Sequence, residues 1–140
     1  MSIAEVEKEI IEEFELFAGE WELKYQHLID LGKSLPLIDP IYKTDEYSIV
    51  GCQNKVWLHS GLVNGKVVYT ADSDGYISKG MVALLVRTFS NQKPEDILNA
   101  DLSFIDTIGL KEHLALTRAN GLVSMIKQMK LDALALKGKL

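Results

Sequence analysis

The feature that most constrains this chain is Asn64-Gly65, set between two runs rich in Val, Leu, Trp and Tyr. A two-residue hairpin loop of type I′ needs positive φ at both central residues, and Asn-Gly adopts it at low cost. Residues 55–63 and 66–71 are therefore expected to form an antiparallel hairpin. A lone hairpin is marginally stable in water, so its apolar face must be covered. Residues 47–50 (Tyr-Ser-Ile-Val) read as a short third strand leading into Gly51-Cys52, and helical patterns lie on both sides. The expected fold is α/β in the α+β sense: a small antiparallel sheet of about three strands packed by helices, in one domain over residues 1–140.

The helices are legible from their apolar spacing. Ser2-Ile3-Ala4-Glu5 reads as a capping box. Val6, Ile10, Phe14 and Phe17 follow as the stripe of a first helix, which Gly19 ends. A second helix is expected over residues 20–35, with Trp21, Tyr25, Leu28, Gly32 and Leu35 on one face and Pro36 stopping it. Gly32 costs about 1 kcal/mol there relative to Ala, so it marks a close approach of another element. The short link makes these two helices an expected antiparallel pair. Asp72-Ser73-Asp74-Gly75 reads as the N-cap of a helix from Tyr76 to about Phe89. Pro94, Glu95 and Asp96 suit the first turn of a short helix. Phe104, Ile105, Ile108 and Leu110 belong to a buried, turn-rich connection, and a short helix follows at about 111–116. Residues 117–121 interrupt it, and a last helix carries Leu122, Met125, Ile126, Met129, Ala133 and Leu136.

Composition narrows the partners. The net charge of −5 argues against nucleic acid, whose phosphates call for clustered Lys and Arg. Charge is uneven: residues 1–30 hold nine Asp/Glu and two Lys, whereas residues 111–140 hold six Lys/Arg and two Asp/Glu. Solvated helix faces explain this, and a steering surface for a charged protein partner is the sharper alternative. No apolar run approaches the roughly 20 residues that span a bilayer. The first residues are too acidic for a signal peptide. One cysteine in 140 residues excludes an intrachain disulfide, a Cys-x-x-Cys redox pair and a multi-thiolate zinc or iron–sulfur site. A reducing, cytoplasmic setting fits best.

That cysteine, Cys52, is the one plausible nucleophile. A free cysteine often packs as a small hydrophobe. Against that, Gly51 frees the backbone and the neighbouring Gln53 and Asn54 are polar. A reactive thiol needs partial exposure and a nearby cation, and Lys55 is close in sequence. From the residues alone, packing and reaction both stay open. A Cys–His hydrolase would need an imidazole beside the thiol. His59 lies seven residues on, within the hairpin, while His27 and His113 are distant. The histidines lack zinc-ligand spacing, two carboxylates in 72–74 make a poor metal site, and no Gly-rich phosphate loop is present.

Gly51-Cys52-Gln53-Asn54-Lys55-Val56-Trp57 resembles the cysteine motif of the SufE family of sulfur-acceptor proteins. Residues 21–25 (WELKY) and 31–36 (LGKSLP) resemble that family's second helix. Asp72-Ser73-Asp74 with Lys79-Gly80 resembles its next signature, and residues 94–97 (PEDI), 117–122 (TRANGL) and Met125-Ile126 resemble its C-terminal half. The blocks fall in family order over nearly the whole chain. The resemblance implies a sulfur acceptor rather than an enzyme with turnover of its own. Such a protein takes persulfide sulfur onto Cys52 from a PLP-dependent cysteine desulfurase of the SufS or CsdA type, stimulates that enzyme and passes sulfur on for iron–sulfur cluster assembly. It needs no metal or cofactor on this chain, since the PLP belongs to the desulfurase. A downstream iron–sulfur scaffold is a further implied partner, and a homodimer is compatible. The implied fold is similar to IscU-type scaffolds, but these build clusters on several cysteines and this chain has one.

Under the resemblance, Gly51 and Gln53 shape the cysteine loop, Asp74 and Lys79 set its conformation, and Arg118 stabilises anionic sulfur or contacts the partner. Three departures stand out: Asn54 where Ser is frequent, Gly75 for a frequent Ala, and Leu116-Thr117 before Arg118 where Pro-Ser can occur. A thiol kept for a partner is expected to rest shielded from oxidants. The alternatives are a non-catalytic regulator of a desulfurase and a Cys-dependent hydrolase.

Overall fold

The hairpin forms as its turn chemistry requires. β1 (Val56–Val63) and β2 (Lys66–Ser73) pair antiparallel, from Val56 opposite Ser73 to Val63 opposite Lys66. Between them Asn64 and Gly65 take φ of 54° and 78°. The computed structural model describes residues 1–114 and 116–140, leaving aside the side chains of Lys111, His113 and Leu116. Val56, Leu58, Val67, Tyr69 and Ala71 line the buried face of the hairpin.

The expected third strand is not built. Asp45–Tyr47 is one turn of 3₁₀ helix, and only Ser48 bridges to Trp57. The Ile49 N–H then reaches the Val56 carbonyl at 2.8 Å, and Gly51, at φ +96°, turns the chain away from the strand. Among the described residues the sheet thus has two strands rather than about three.

Helices supply the missing cover. α1 (Ile3–Glu15) carries the reciprocal Ser2–Glu5 capping box and buries Val6, Ile10 and Phe14. α2 (Trp21–Lys33) packs chiefly on α3 (Tyr76–Phe89) and touches the end of α1 through His27, whose ring lies against Phe14 and bonds Glu13. The reason for the α3 packing is at the crossing. A Cβ on Gly32 would lie 2.9 Å from the Gly80 nitrogen, and one on Gly80 would lie 2.2 Å from the Leu28 carbonyl oxygen. Two glycines let the helices touch backbone to backbone, as Gly32 in the sequence foreshadows.

α3 is the core helix, with the whole run from Met81 to Val86 buried. It contacts α1, α2, β2 and α7. α4 (Pro94–Asn99) starts on its proline as expected. Within the turn-rich connection lie two short helices, α5 (Ser103–Thr107) and α6 (Leu110–His113).

The stretch 117–121 does not interrupt a helix as its residues suggest: α7 runs from Leu116 to Lys137 straight through it. Glycine inside a helix costs about 1 kcal/mol, which tertiary contacts override. α7 buries Leu122, Met125, Met129 and Ala133 against the hairpin, α3 and α4. Among the described residues no helix is long and apolar enough to cross a membrane.

Candidate functional site

The cysteine loop lies where the hairpin, the start of α3 and the first turns of α7 meet. Gly51 opens it in a left-handed conformation that a side chain adopts only with strain. A Cβ there would also meet the Ser124 hydroxyl at 2.5 Å. Cys52 follows, half-buried and packed against the apolar core. Its thiol faces the Gly121 carbonyl of α7, with Sγ 3.7 Å from the oxygen, a weak S–H donor contact. Burial pushes the thiol pKa above the ordinary cysteine range, and among the described residues no positive group offsets it. Burial thus favours the protonated form of this half-buried thiol.

Each flank of the loop is tied by polar contacts. The Thr117 hydroxyl donates to Gln53 Oε1 at 3.0 Å. At the other end Asp74 grips Lys55 twice: its carboxylate accepts from the Lys55 N–H at 3.0 Å, and its own N–H donates to the Lys55 carbonyl at 3.2 Å. The Ser73 hydroxyl adds a 2.8 Å bond to that same carbonyl. The 72–74 stretch is therefore a loop clasp and not the N-cap expected for α3. Gly75 holds the cap position, with no side-chain cap bond. Ser73 was drawn to Lys55 because β2 ends there, opposite Val56.

Two departures from the family pattern turn out to be one. Asn54 accepts from the Ser78 hydroxyl at 3.2 Å, and its side chain covers Gly75. A Cβ on Gly75 would lie 2.5 Å from Asn54 Cγ. The larger residue at 54 thus fits because the residue at 75 is smaller.

Lys79 does not pair with Asp74. Its ammonium sits 3.3 Å from Asp72, which also takes Lys43 at 3.0 Å. Burial pushes the Asp72 carboxyl up, but bonds from Lys43, the Ser73 N–H and Lys79 together hold it below its ordinary range. Lys43 also lies over the Trp57 ring, 4.9 Å from its centroid. This Asp72 knot braces the outer face of the hairpin beside the loop. Sequence reasoning missed Asp72 as Lys79's partner and Lys43 altogether; the alternation of β2 puts Asp72 on the face opposite Ala71 and Ser73, which was the available signal.

Arg118 lies on the first turn of α7, half-buried, with Nε buried and without a hydrogen-bond partner among the described residues. Ser78 and Ser124, which touch the loop through Asn54 and Gly51, carry no sequence signal at all. His59 belongs elsewhere: its ring stacks on Tyr42 with centroids 3.7 Å apart. It lines a polar cleft of about 380 Å³ with Tyr47, Ser60, Gln128 and Asp132. His27 bonds Glu13 at 3.1 Å, and the side chain of His113 lies outside the described residues. Among the described residues no imidazole bonds the Cys52 thiol, and no three His, Cys, Asp or Glu side chains converge to hold a metal ion.

This arrangement can present one thiol to another molecule, and among the described residues neither an imidazole bonded to the sulfur nor a cluster of metal-ligating side chains is found. Comparison with known proteins gives the family. The SufE family model, described as an Fe–S metabolism associated domain, matches residues 8–133. An uncharacterized SufE-like protein of Rhizobium meliloti is 37% identical over 130 residues, covering 89% of this chain and 92% of that one. SufE-like protein 1, chloroplastic/mitochondrial, of Arabidopsis thaliana is 38% identical over 117 residues, covering 83% of this chain and 32% of that longer protein. The solution structure of a hypothetical protein from Thermus thermophilus shares the fold, with a TM-score of 0.78, 21% identity and coverage of 95% of this chain and 96% of that one.

Proposed function

The chain belongs to the SufE family, and from that membership we propose that Cys52 is a persulfide acceptor serving a PLP-dependent cysteine desulfurase of the SufS or CsdA type. The observation that carries the reading is the setting of the sole thiol. Cys52 sits half-buried on a loop fastened by separable hydrogen bonds, with no imidazole bonded to the thiol and no cluster of metal-ligating side chains among the described residues. Such a thiol is poor at chemistry alone and suited to chemistry supplied by a partner.

The step balances without an oxidant. The Cys52 thiolate attacks the outer sulfur of a persulfide on the desulfurase. A new S–S bond forms on Cys52, the partner's S–S bond breaks, and the electron pair leaves on the partner's cysteine as thiolate. Because the resting environment favours the protonated thiol, docking must move the loop so that the sulfur loses its proton and reaches the donor. The Asp74–Lys55 and Gln53–Thr117 contacts are the ones that movement breaks. Arg118, whose Nε has no hydrogen-bond partner among the described residues, is the residue this reading assigns to negative charge on the displaced sulfur or on the partner. The sulfur then passes to an iron–sulfur assembly partner in a reducing compartment such as the cytoplasm.

Intact-mass measurement after incubation with desulfurase and free cysteine tests this. The expected result is a gain of one sulfur atom, lost on reduction and absent in Cys52→Ser. The same variant addresses the regulator reading: stimulation of the desulfurase that survives Cys52→Ser would replace acceptance with conformational activation.

A further inference from the structure

The strand expected at residues 47–50 is not built, and most of the β1 edge that it would have covered stays open. Ile49 donates to the Val56 carbonyl on that edge. In an antiparallel pair every second residue turns its backbone groups the same way, so Leu58, Ser60 and Leu62 also face outward. Beyond the Ser48–Trp57 bridge, the outward N–H and C=O of Ser60 and Leu62 bond to nothing among the described residues. Natural sheets often blunt an open edge with proline or lysine. Residues 58–62 (Leu-His-Ser-Gly-Leu) hold neither.

This edge is one wall of the polar cleft of about 380 Å³. Residues 46–48 form a second wall, and Gln128, Asp132 and Leu136 of α7 form the third. The cleft holds two carboxylates, Glu46 and Asp132, and no Lys or Arg. Asp132 accepts from the Ser60 hydroxyl and, at 2.8 Å, from Gln128 Nε2, both neutral donors. Neither carboxylate forms an ion pair among the described residues. A second copy docking edge to edge would bring another Asp132 and Glu46 up to the first pair, and like charges disfavour that contact. A strand with Lys or Arg opposite Ser60 meets the reverse. Directly paired residues share a face of the sheet, so its cation lies on the Ser60 side, where Asp132 stands.

We propose that the open edge of β1 is a docking site for an extended segment of another protein, which adds as a third strand and sets a Lys or Arg against Asp132. Backbone hydrogen bonds supply the affinity and the cation supplies the selection. The site is continuous with the cysteine loop. Residues 46–48 lead into Gly51-Cys52, and Ser124, one turn of α7 before Gln128, abuts Gly51. A seated segment therefore brings its parent protein alongside the thiol. The inference stands apart from what Cys52 carries.

The probe is the heptapeptide acetyl-TVTKTVT-amide, whose two Val and central Lys share one face. It is titrated to millimolar concentration into the isotope-labelled full chain and followed by amide NMR. The expected result is shifts centred on Ser60 and Leu62, slowed hydrogen exchange of those two amides, and cross-strand contacts to the peptide. Methylating the backbone nitrogens of the peptide's Val and Lys, which face β1 when Lys lies opposite Ser60, should abolish binding while keeping every side chain. Asp132→Asn, which keeps an acceptor for Ser60, should weaken binding about fivefold. Glu in place of the peptide's Lys should weaken it further, with no change to the protein. Ser60 and Leu62 amides that ignore the peptide, equal affinity for the Lys and Glu peptides, or binding that survives methylation would overturn the proposal. So would ethylamine reproducing the shifts, which would make this a small-amine site. A self-associated chain in which the same amides are already protected would likewise overturn it, with a second copy as the occupant.

Discussion

Two glycine-lined contacts in this molecule do opposite jobs. At the α2–α3 crossing, Gly32 and Gly80 bring backbone against backbone, and the nearest atom to a Cβ on either is a backbone atom that cannot rotate away. At the cysteine loop, Gly51 and Gly75 bring backbone against the tips of Ser124 and Asn54, and the rest of the attachment is hydrogen bonds. The crossing can only be intact or broken. The loop can be detached one bond at a time, each worth about 1 kcal/mol net. Under the acceptor proposal, a thiol sheltered at rest and presented on docking needs the second kind of attachment on top of the first.

The largest expected effect breaks the comparison at its rigid end. Gly80→Ala drives a methyl into the Leu28 carbonyl, where nothing nearby can rotate away, and should cost about 3 kcal/mol or more. The check is the denaturant midpoint. A fall with unchanged transition slope fits, and a near-parental midpoint would show that the helices slide apart cheaply.

Next comes the coupled pair. Gly75→Ala alone should displace the Asn54 amide, cost about 1–2 kcal/mol and loosen the loop. Adding Asn54→Ser should recover about 1 kcal/mol of that, a non-additivity that a double-mutant cycle reads directly. Strict additivity would deny that the two positions compensate.

The smallest effect on global stability concerns the thiol itself. Because burial raises the Cys52 pKa, the folded protein keeps that proton to higher pH than the unfolded chain does. The group's contribution is thus fully present below the ordinary thiol range and fades as pH rises through it toward the folded value. Alkylation of native Cys52 should be slow near neutrality, with its midpoint above that of the urea-unfolded protein. Asp74→Ala, which removes the clasp on Lys55, should move the profile toward the unfolded one while shifting the melting temperature little. Identical profiles in all three samples would mean that the loop does not shelter its sulfur.

Much of this was readable in advance. Asn64-Gly65 placed the hairpin, Ser2 and Glu5 placed the start of α1, and the apolar stripe gave α3 its bounds of Tyr76 and Phe89. Gly32 announced a close approach without saying to what. Where the reading failed, local preference met a distant contact. Residues 117–121 carry Thr, Asn and Gly, poor helix formers, yet they are helical in a helix that packs on the hairpin, α3 and α4, and the cysteine loop meets them through Gln53 and Cys52. Asp72-Ser73-Asp74 looks like a cap, yet its groups turn to Lys55, Lys43 and Lys79, which no spacing rule brings together.

By itself the sequence settled that there is one thiol to work with, that a hairpin must be buried under helices, and that a multi-thiolate cluster or a disulfide within the chain is impossible. These follow from counts and from local backbone chemistry, which act within a few residues. Only the tertiary structure decided that the thiol is half-buried beside Gly121, that Asn54 and Gly75 share one space, and that Lys79 serves Asp72. Those depend on which surfaces meet across the fold, with Cys52 and Gly121 separated by 69 residues of chain. Contacts at that range are selected by how the whole core closes, not by what stands next in line.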